Sequence, residues 1–178
     1  MEASAKWNSA AINGLLLSLV TIVYSLIQSV FGLSGFSSII LWMVKFAGCI
    51  YLLYYFMKQY SGNFEQISYG SSFQYGFILC CLSSIVCACF SFISMTLLFP
   101  ETTELAIEQM QTVMASGNYS SEEENIINSM ADNLPQITLF AGLFYYIVIG
   151  AVMSSIIANF TKKTDPFAEY DKNGSDAE

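Results

Sequence analysis

Residues 73–99 read FQYGFILCCLSSIVCACFSFISMTLLF and contain no charged side chain. An α-helix rises about 1.5 Å per residue, so about 20 apolar residues cross the roughly 30 Å hydrocarbon layer of a bilayer. Hydrocarbon offers no hydrogen-bond partner to a peptide group, so a run of this kind satisfies its backbone only as a helix. The stretch therefore predicts a membrane-spanning α-helix.

Three further apolar runs, residues 10–31, 37–57 and 137–160, meet the same requirement. Only 11% of the 178 residues are charged and 54% are hydrophobic, which is too little charge to cover a soluble domain. The sequence predicts an all-α fold, a four-helix transmembrane bundle with a short amphipathic helical hairpin between the third and fourth spans. Residues 1–164 form this single domain, and the acidic tail 165–178 is predicted to be disordered.

The lysines indicate how the spans are oriented. Short positively charged segments are retained in the cytoplasm, whereas the 32–36 turn and the 101–136 loop contain no basic residue. The other flanking segments carry the basic side chains Lys6, Lys58, Lys162, Lys163 and Lys172. We therefore predict a cytoplasmic (inner) membrane protein with both termini in the cytoplasm.

The loop 101–136 has the pattern of two short amphipathic helices. The first is predicted over residues 103–116 and ends at Gly117, a residue that often terminates helices. The second starts at Ser120 and Glu123, which have the spacing of a capping box, and Pro135 opens the fourth span. The loop carries seven acids and no base: Glu101, Glu104, Glu108, Glu122, Glu123, Glu124 and Asp132. The apolar face of this hairpin has to be buried against the bundle, the outer leaflet, a second copy of the chain or another protein.

Small and weakly polar residues repeat along one face of three spans. Since lipid is as apolar as leucine, close backbone approach has to hold such helices together. The predicted inner faces are Gly14, Ser18, Thr21, Ser25 and Gln28 in the first span, Gly76, Cys80, Ser84, Cys87, Ser91 and Ser94 in the third, and Gly150, Ser154 and Ala158 in the fourth. These stripes predict helix packing; the alternative is that they line a substrate pathway.

Lys45 is the one charged residue inside a predicted span. A lysine near mid-membrane costs roughly 2.5–3.5 kcal/mol on insertion scales. It either extends to the outer headgroups on its flexible stem or has a function, as a site for an anionic ligand, a contact for a partner protein or a gate of a cavity. The acids that flank the span ends, Glu101, Glu104 and Asp132, are its candidate partners, and Gln28 is a further candidate functional residue.

The residue types missing from the sequence limit its chemistry. The chain has no histidine and no arginine, so the commonest general base and zinc ligand is absent and no basic nucleic-acid surface can form. The cysteines all lie in apolar runs and do not form a recognisable metal-binding pattern. We predict no catalytic, cofactor-binding or metal-binding residue, no cofactor and no enzymatic activity.

Several short motifs occur in an order that resembles a known family. They are Ile67-Ser68-Tyr69-Gly70 with Phe73 and Gly76, the pair Phe99-Pro100, the acidic helical loop, and Lys162-Lys163-Thr164-Asp165-Pro166-Phe167. Over about residues 10–167 the chain resembles the bacterial membrane proteins grouped as domain of unknown function 4199. The resemblance implies a four-span protein of a bacterial inner membrane, and it supplies no activity and no catalytic residues.

Two functions from different classes fit these observations. The first is a non-enzymatic accessory protein that lies in the lipid bilayer and associates, through its outer hairpin and small-residue faces, with itself or with another membrane protein. The second is a small oligomeric transporter or channel that uses the first-span stripe and Lys45. A transporter needs a hydrated cavity near mid-membrane, whereas an accessory protein can be packed solid.

Overall fold

The computed structural model describes residues 2–32, 35–117 and 120–163. The helices are α1 (Glu2–Phe31), α2 (Phe36–Gly62), α3 (Tyr69–Ile93), α4 (Pro100–Ser116), α5 (Ser121–Asp132) and α6 (Leu134–Thr161), and a π-helical turn (Ser94–Leu98) extends α3. Four of these segments are long and apolar enough to cross a membrane. The predicted all-α bundle is therefore confirmed; the predicted disordered tail 165–178 lies outside the described residues.

The chain passes up and down through α1, α2, α3 and α6, with α4 and α5 together at one end. We call this end the hairpin end, and the opposite end, where α1 begins and α6 finishes, the terminal end. In the described part of the chain, five helix ends lie three or more residues beyond the predicted bounds. Helix α2 extends to Gly62 rather than residue 57, and α6 begins at Leu134 rather than residue 137. Helix α1 begins at Glu2 rather than near residue 10, α3 begins at Tyr69 rather than at Phe73, and α4 begins at Pro100 rather than at Thr103.

The early starts of α1, α3 and α4 each have an identifiable cause. The first turns of α1 stay helical because their polar side chains bond to α3: the Lys6 Nζ donates to Gln74 Oε1 at 2.7 Å. In α3, Ser68 caps the helix and accepts from the backbone N–H of Ser71. Pro100 occupies the first turn of α4, where its missing N–H leaves no bond unmade.

Helix α3 is the centre of the bundle and packs most extensively on α6 and α1. The predicted stripes face inward over most of their length. Buried members are Gly14 and Ser18 of α1, Gly76, Cys80, Ser84, Cys87 and Ser94 of α3 and its π-helical turn, and Gly150, Ser154 and Ala158 of α6, whereas Thr21, Ser25, Gln28 and Ser91 are only half-buried. A Cβ atom built on Gly150 would lie 2.6 Å from the Cβ of Cys80, and one built on Gly76 would lie 2.6 Å from Met57 Sδ. At these two positions a residue with a Cβ atom would overlap the neighbouring helix, so glycine permits the close approach.

The terminal half of the bundle is closely packed. All the buried residues of α2 lie in its second half, at Leu53, Phe56, Met57 and Ser61. Tyr75, which is fully buried, stacks on the ring of Tyr60 with centroids 3.9 Å apart. These contacts close the bundle at this end.

Polar contacts reinforce the same end. The Tyr75 hydroxyl accepts a 2.8 Å hydrogen bond from Asn13 Nδ2 on α1. The segment between α2 and α3 pairs with the end of α6 through an antiparallel bridge between Ile67 and Lys163, and the Lys163 Nζ donates to the carbonyl of Phe64 at 3.0 Å. The four spans are therefore tied together where the chain begins and α6 ends.

The close approach at Gly150 leads to a stability prediction. The Gly150→Ala variant should lower the free energy of unfolding by roughly 1–3 kcal/mol, because the added methyl overlaps Cys80 and forces α3 and α6 apart. Unfolding of the purified protein by a denaturing detergent measures this. Gly142→Ala is the matched control on α6, since nothing lies within 4 Å of a Cβ there, and it should leave stability equal or slightly higher. An equal loss of unfolding free energy in the two variants would contradict the close contact between Gly150 and Cys80.

Candidate functional site

A cleft of about 110 Å³ interrupts the packing near the middle of the bundle. All four spans line it, for example through Thr21 of α1, Lys45 and Cys49 of α2, Cys87 of α3 and Tyr146 of α6. Trp42 of α2 and Tyr145 of α6 also line it and are 46% and 55% exposed. The cleft therefore opens sideways between α2 and α6, toward the surrounding lipid.

The side chains of α6 explain why the cleft lies at this level. Tyr146, Gly150 and Ser154 follow at intervals of four and share one helix face. Gly150 and Ser154 are buried and allow close contact with α3, whereas Tyr146 one turn earlier is bulky and only half-buried. The first half of α2 has no buried residue. It therefore does not pack closely against the bundle at this level, and the space between α2 and α6 stays open.

Lys45 extends into this cleft. Its Nζ lies 4.8 Å from the ring centroid of Tyr24 on α1 and 5.7 Å from that of Tyr146 on α6. The ammonium is therefore held between two neighbouring helices. Lys45 lies nine residues after Phe36, the first residue of α2, which is about 14 Å along the helix axis.

The environment of Lys45 stabilises a cation without neutralising its charge. Two cation–π contacts at about 0.5–2 kcal/mol each are of the same order as the insertion cost of roughly 2.5–3.5 kcal/mol for a lysine at mid-membrane. The cleft lining contains no acidic residue. Within the described ranges 2–32, 35–117 and 120–163, the Lys45 ammonium forms no hydrogen bond and no ion pair with a protein acceptor. A charged group with three N–H donors therefore faces a neutral cleft.

The structure separates the other candidate residues from Lys45. Glu101, Glu104 and Asp132 are exposed on the hairpin and none of them lines the cleft. The hairpin is held away from the cleft at its base, where Thr103 Oγ1 donates to the carbonyl of Met95 at 3.1 Å. Gln28 Nε2 donates to Ser38 Oγ at 3.4 Å, so it joins the ends of α1 and α2.

Sequence reasoning missed the aromatic part of the site. On α2 the spacing of Trp42, Lys45 and Cys49 was a usable signal, since residues three and four apart share a helix face. Tyr24 and Tyr146 lie far from Lys45 in the sequence, and they come together only through packing of α1 and α6 beside α2.

The hairpin is the second region of interest. Helix α5 begins with the predicted capping box, in which the Ser120 N–H donates to Glu123 Oε2 at 2.8 Å. This backbone hydrogen bond, with a second from the Ser120 hydroxyl, holds the pKa of the Glu123 carboxyl below its usual range. Apolar side chains nonetheless remain uncovered: Leu105 of α4 is 56% exposed and Ile126 of α5 is 59% exposed.

Comparison with known proteins supplies a family and no activity. No curated protein and no solved structure matches the chain. A family model described as "Protein of unknown function (DUF4199)" matches residues 10–163, which include all four apolar helices and the hairpin between the third and the fourth. The chain belongs to this family, as the order of its motifs predicted.

Proposed function

We propose that the protein is a non-enzymatic accessory protein of a bacterial cytoplasmic membrane, which associates with another membrane protein through its outer hairpin. The observation that supports this most is the exposure of Leu105, Ile126 and Met130 on the hairpin. Apolar side chains on the water-facing part of a membrane protein are typical of an interaction surface. Helix α5 of the hairpin is also capped by Ser120 and Glu123, so it can present its apolar side chains without a large ordering cost.

The charge of the hairpin indicates what kind of partner it fits. The loop 101–136 carries seven acids and no base, so two hairpins placed face to face would repel each other. An anionic lipid surface would repel it as well. We therefore favour a different protein with a basic surface over a second copy of this chain.

Co-purification in mild detergent tests the association. A double variant, Leu105→Gln with Ile126→Gln, should reduce recovery of a stoichiometric partner roughly tenfold, because it removes two apolar contacts. Gln111→Ala, an exposed position on α4, is the control and should leave recovery unchanged. Higher salt should also reduce recovery if acidic side chains contribute. Full recovery with the double variant would contradict the proposal.

The orientation in this proposal has its own test. The positive-inside rule favours the terminal end, with Lys6, Lys58 and Lys163, as the cytoplasmic end. Cysteine introduced as Glu122→Cys should react with a membrane-impermeant maleimide added outside intact spheroplasts, and Lys162→Cys should react only after permeabilisation. A protein with its five native cysteines replaced by alanine is the background for both variants. Labelling of both positions from one side would contradict this topology.

A small oligomeric transporter or channel is the second candidate function, and the cleft beside Lys45 is the observation that favours it. The packing of the terminal half argues against it, because Met57 and Tyr75 are fully buried between the cleft and the terminal end. We expect liposomes that contain the purified protein to release small anions no faster than empty liposomes. Release that depends on the protein and is lost in Lys45→Met would instead support the transporter.

A further inference from the structure

We propose that the cleft between α2 and α6 binds the carboxylate head of a single-chain amphiphile, such as a long-chain fatty acid, with the Lys45 ammonium as its counter-charge. This site is separate from the hairpin, so it does not rest on the association proposed above.

Among the described residues, no acidic side chain pairs with the positive charge in the cleft. Tyr24 and Tyr146 present their ring faces to the Lys45 ammonium, and aromatic rings stabilise a cation without neutralising it. The acidic residues of the hairpin do not line the cleft. A carboxylate placed beside the ammonium would complete a charge-assisted pair, the strongest kind of hydrogen bond in proteins.

The size of the cleft limits what can enter it. A cavity of about 150 Å³ lined by apolar side chains holds a molecule of benzene, so a cleft of about 110 Å³ admits a head group and a few carbons. The rest of a chain must leave through the side opening, where Phe46 and Ile50 of α2 and Ile149 of α6 supply an apolar lining. A ligand with one charged end and one apolar chain fits this shape.

The depth of Lys45 favours a carboxylic acid over a phospholipid. The residue lies about 14 Å along α2 from the hairpin end, within the hydrocarbon layer. A carboxylic acid can take up a proton from water and enter this region uncharged, and it returns that proton to water when its carboxylate pairs with the ammonium. A phosphodiester keeps its charge and remains at the surface, with two chains attached to it.

Trp42 provides a reporter for this binding. The chain has two tryptophans; Trp42 lines the cleft and Trp7 lies near the start of α1. In the Trp7→Phe variant, reconstituted in neutral phosphatidylcholine nanodiscs, brominated stearic acid should quench Trp42 fluorescence in a saturable way. Unlabelled palmitate should reverse the quenching, whereas hexadecanol, which has the chain without the charge, should reverse it at least about tenfold less effectively.

Variants on α2 separate the site from general partition into lipid. Lys45→Met should weaken the saturable quenching at least about tenfold. Lys58→Met is the matched control, because Lys58 also lies over a tyrosine ring, 5.5 Å from the centroid of Tyr54, but does not line the cleft; it should bind as the parent does. If Lys45→Met fails to fold, Cys49→Phe keeps the ammonium but fills the cleft, and it should also abolish binding.

Three results would overturn the proposal. They are quenching that rises linearly without saturation, equal quenching in Lys45→Met or Cys49→Phe and the parent protein, and reversal by phosphatidylglycerol but not by palmitate. The last result would assign the cleft to an anionic phospholipid.

Discussion

The close approach of α3 to α6 is the contact on which the rest of the structure depends. Gly150 lies against Cys80, and Gly76 lies against Met57 and Ser154, so closely that an added methyl would overlap them. In lipid there is no hydrophobic force between apolar helices, so contact of this kind has to supply the attraction. Helix α1 joins the same centre through Gly14, where an added Cβ would lie 3.0 Å from the carbonyl oxygen of Leu79.

This contact also explains why the bundle is uneven along its length. In the terminal half, small residues on α3 and α6 leave room for Phe56 and Met57 of α2, and the Tyr75 hydroxyl bonds to Asn13. In the hairpin half, α6 presents Tyr145 and Tyr146, and α2 contributes no buried residue. The terminal half is therefore closely packed, and a cleft remains near the middle of the bundle. The difference arises from side-chain size at successive turns of α6.

The two regions with functional potential differ in chemistry. The hairpin is acidic, exposed and partly apolar, which are properties of a surface that meets another protein. The cleft is small, mainly apolar and cationic, which are properties of a site for one end of an amphiphile. The family match covers both regions, since it extends over residues 10–163, so both belong to the part of the chain that the family defines.

The sequence by itself determined the number of spans, the hairpin with its Ser120–Glu123 capping box, and the inward faces of three spans. These features depend on local composition and on the helical period, which a single segment contains. The beginnings of α1 and α3 were predicted too late, because Lys6 and Ser68 stabilise them through bonds that hydropathy does not record. Only the tertiary structure placed Lys45 over Tyr24 and Tyr146 and away from Glu101, Glu104 and Asp132. That outcome depends on how three helices rotate against one another, which the pattern of any single helix leaves open.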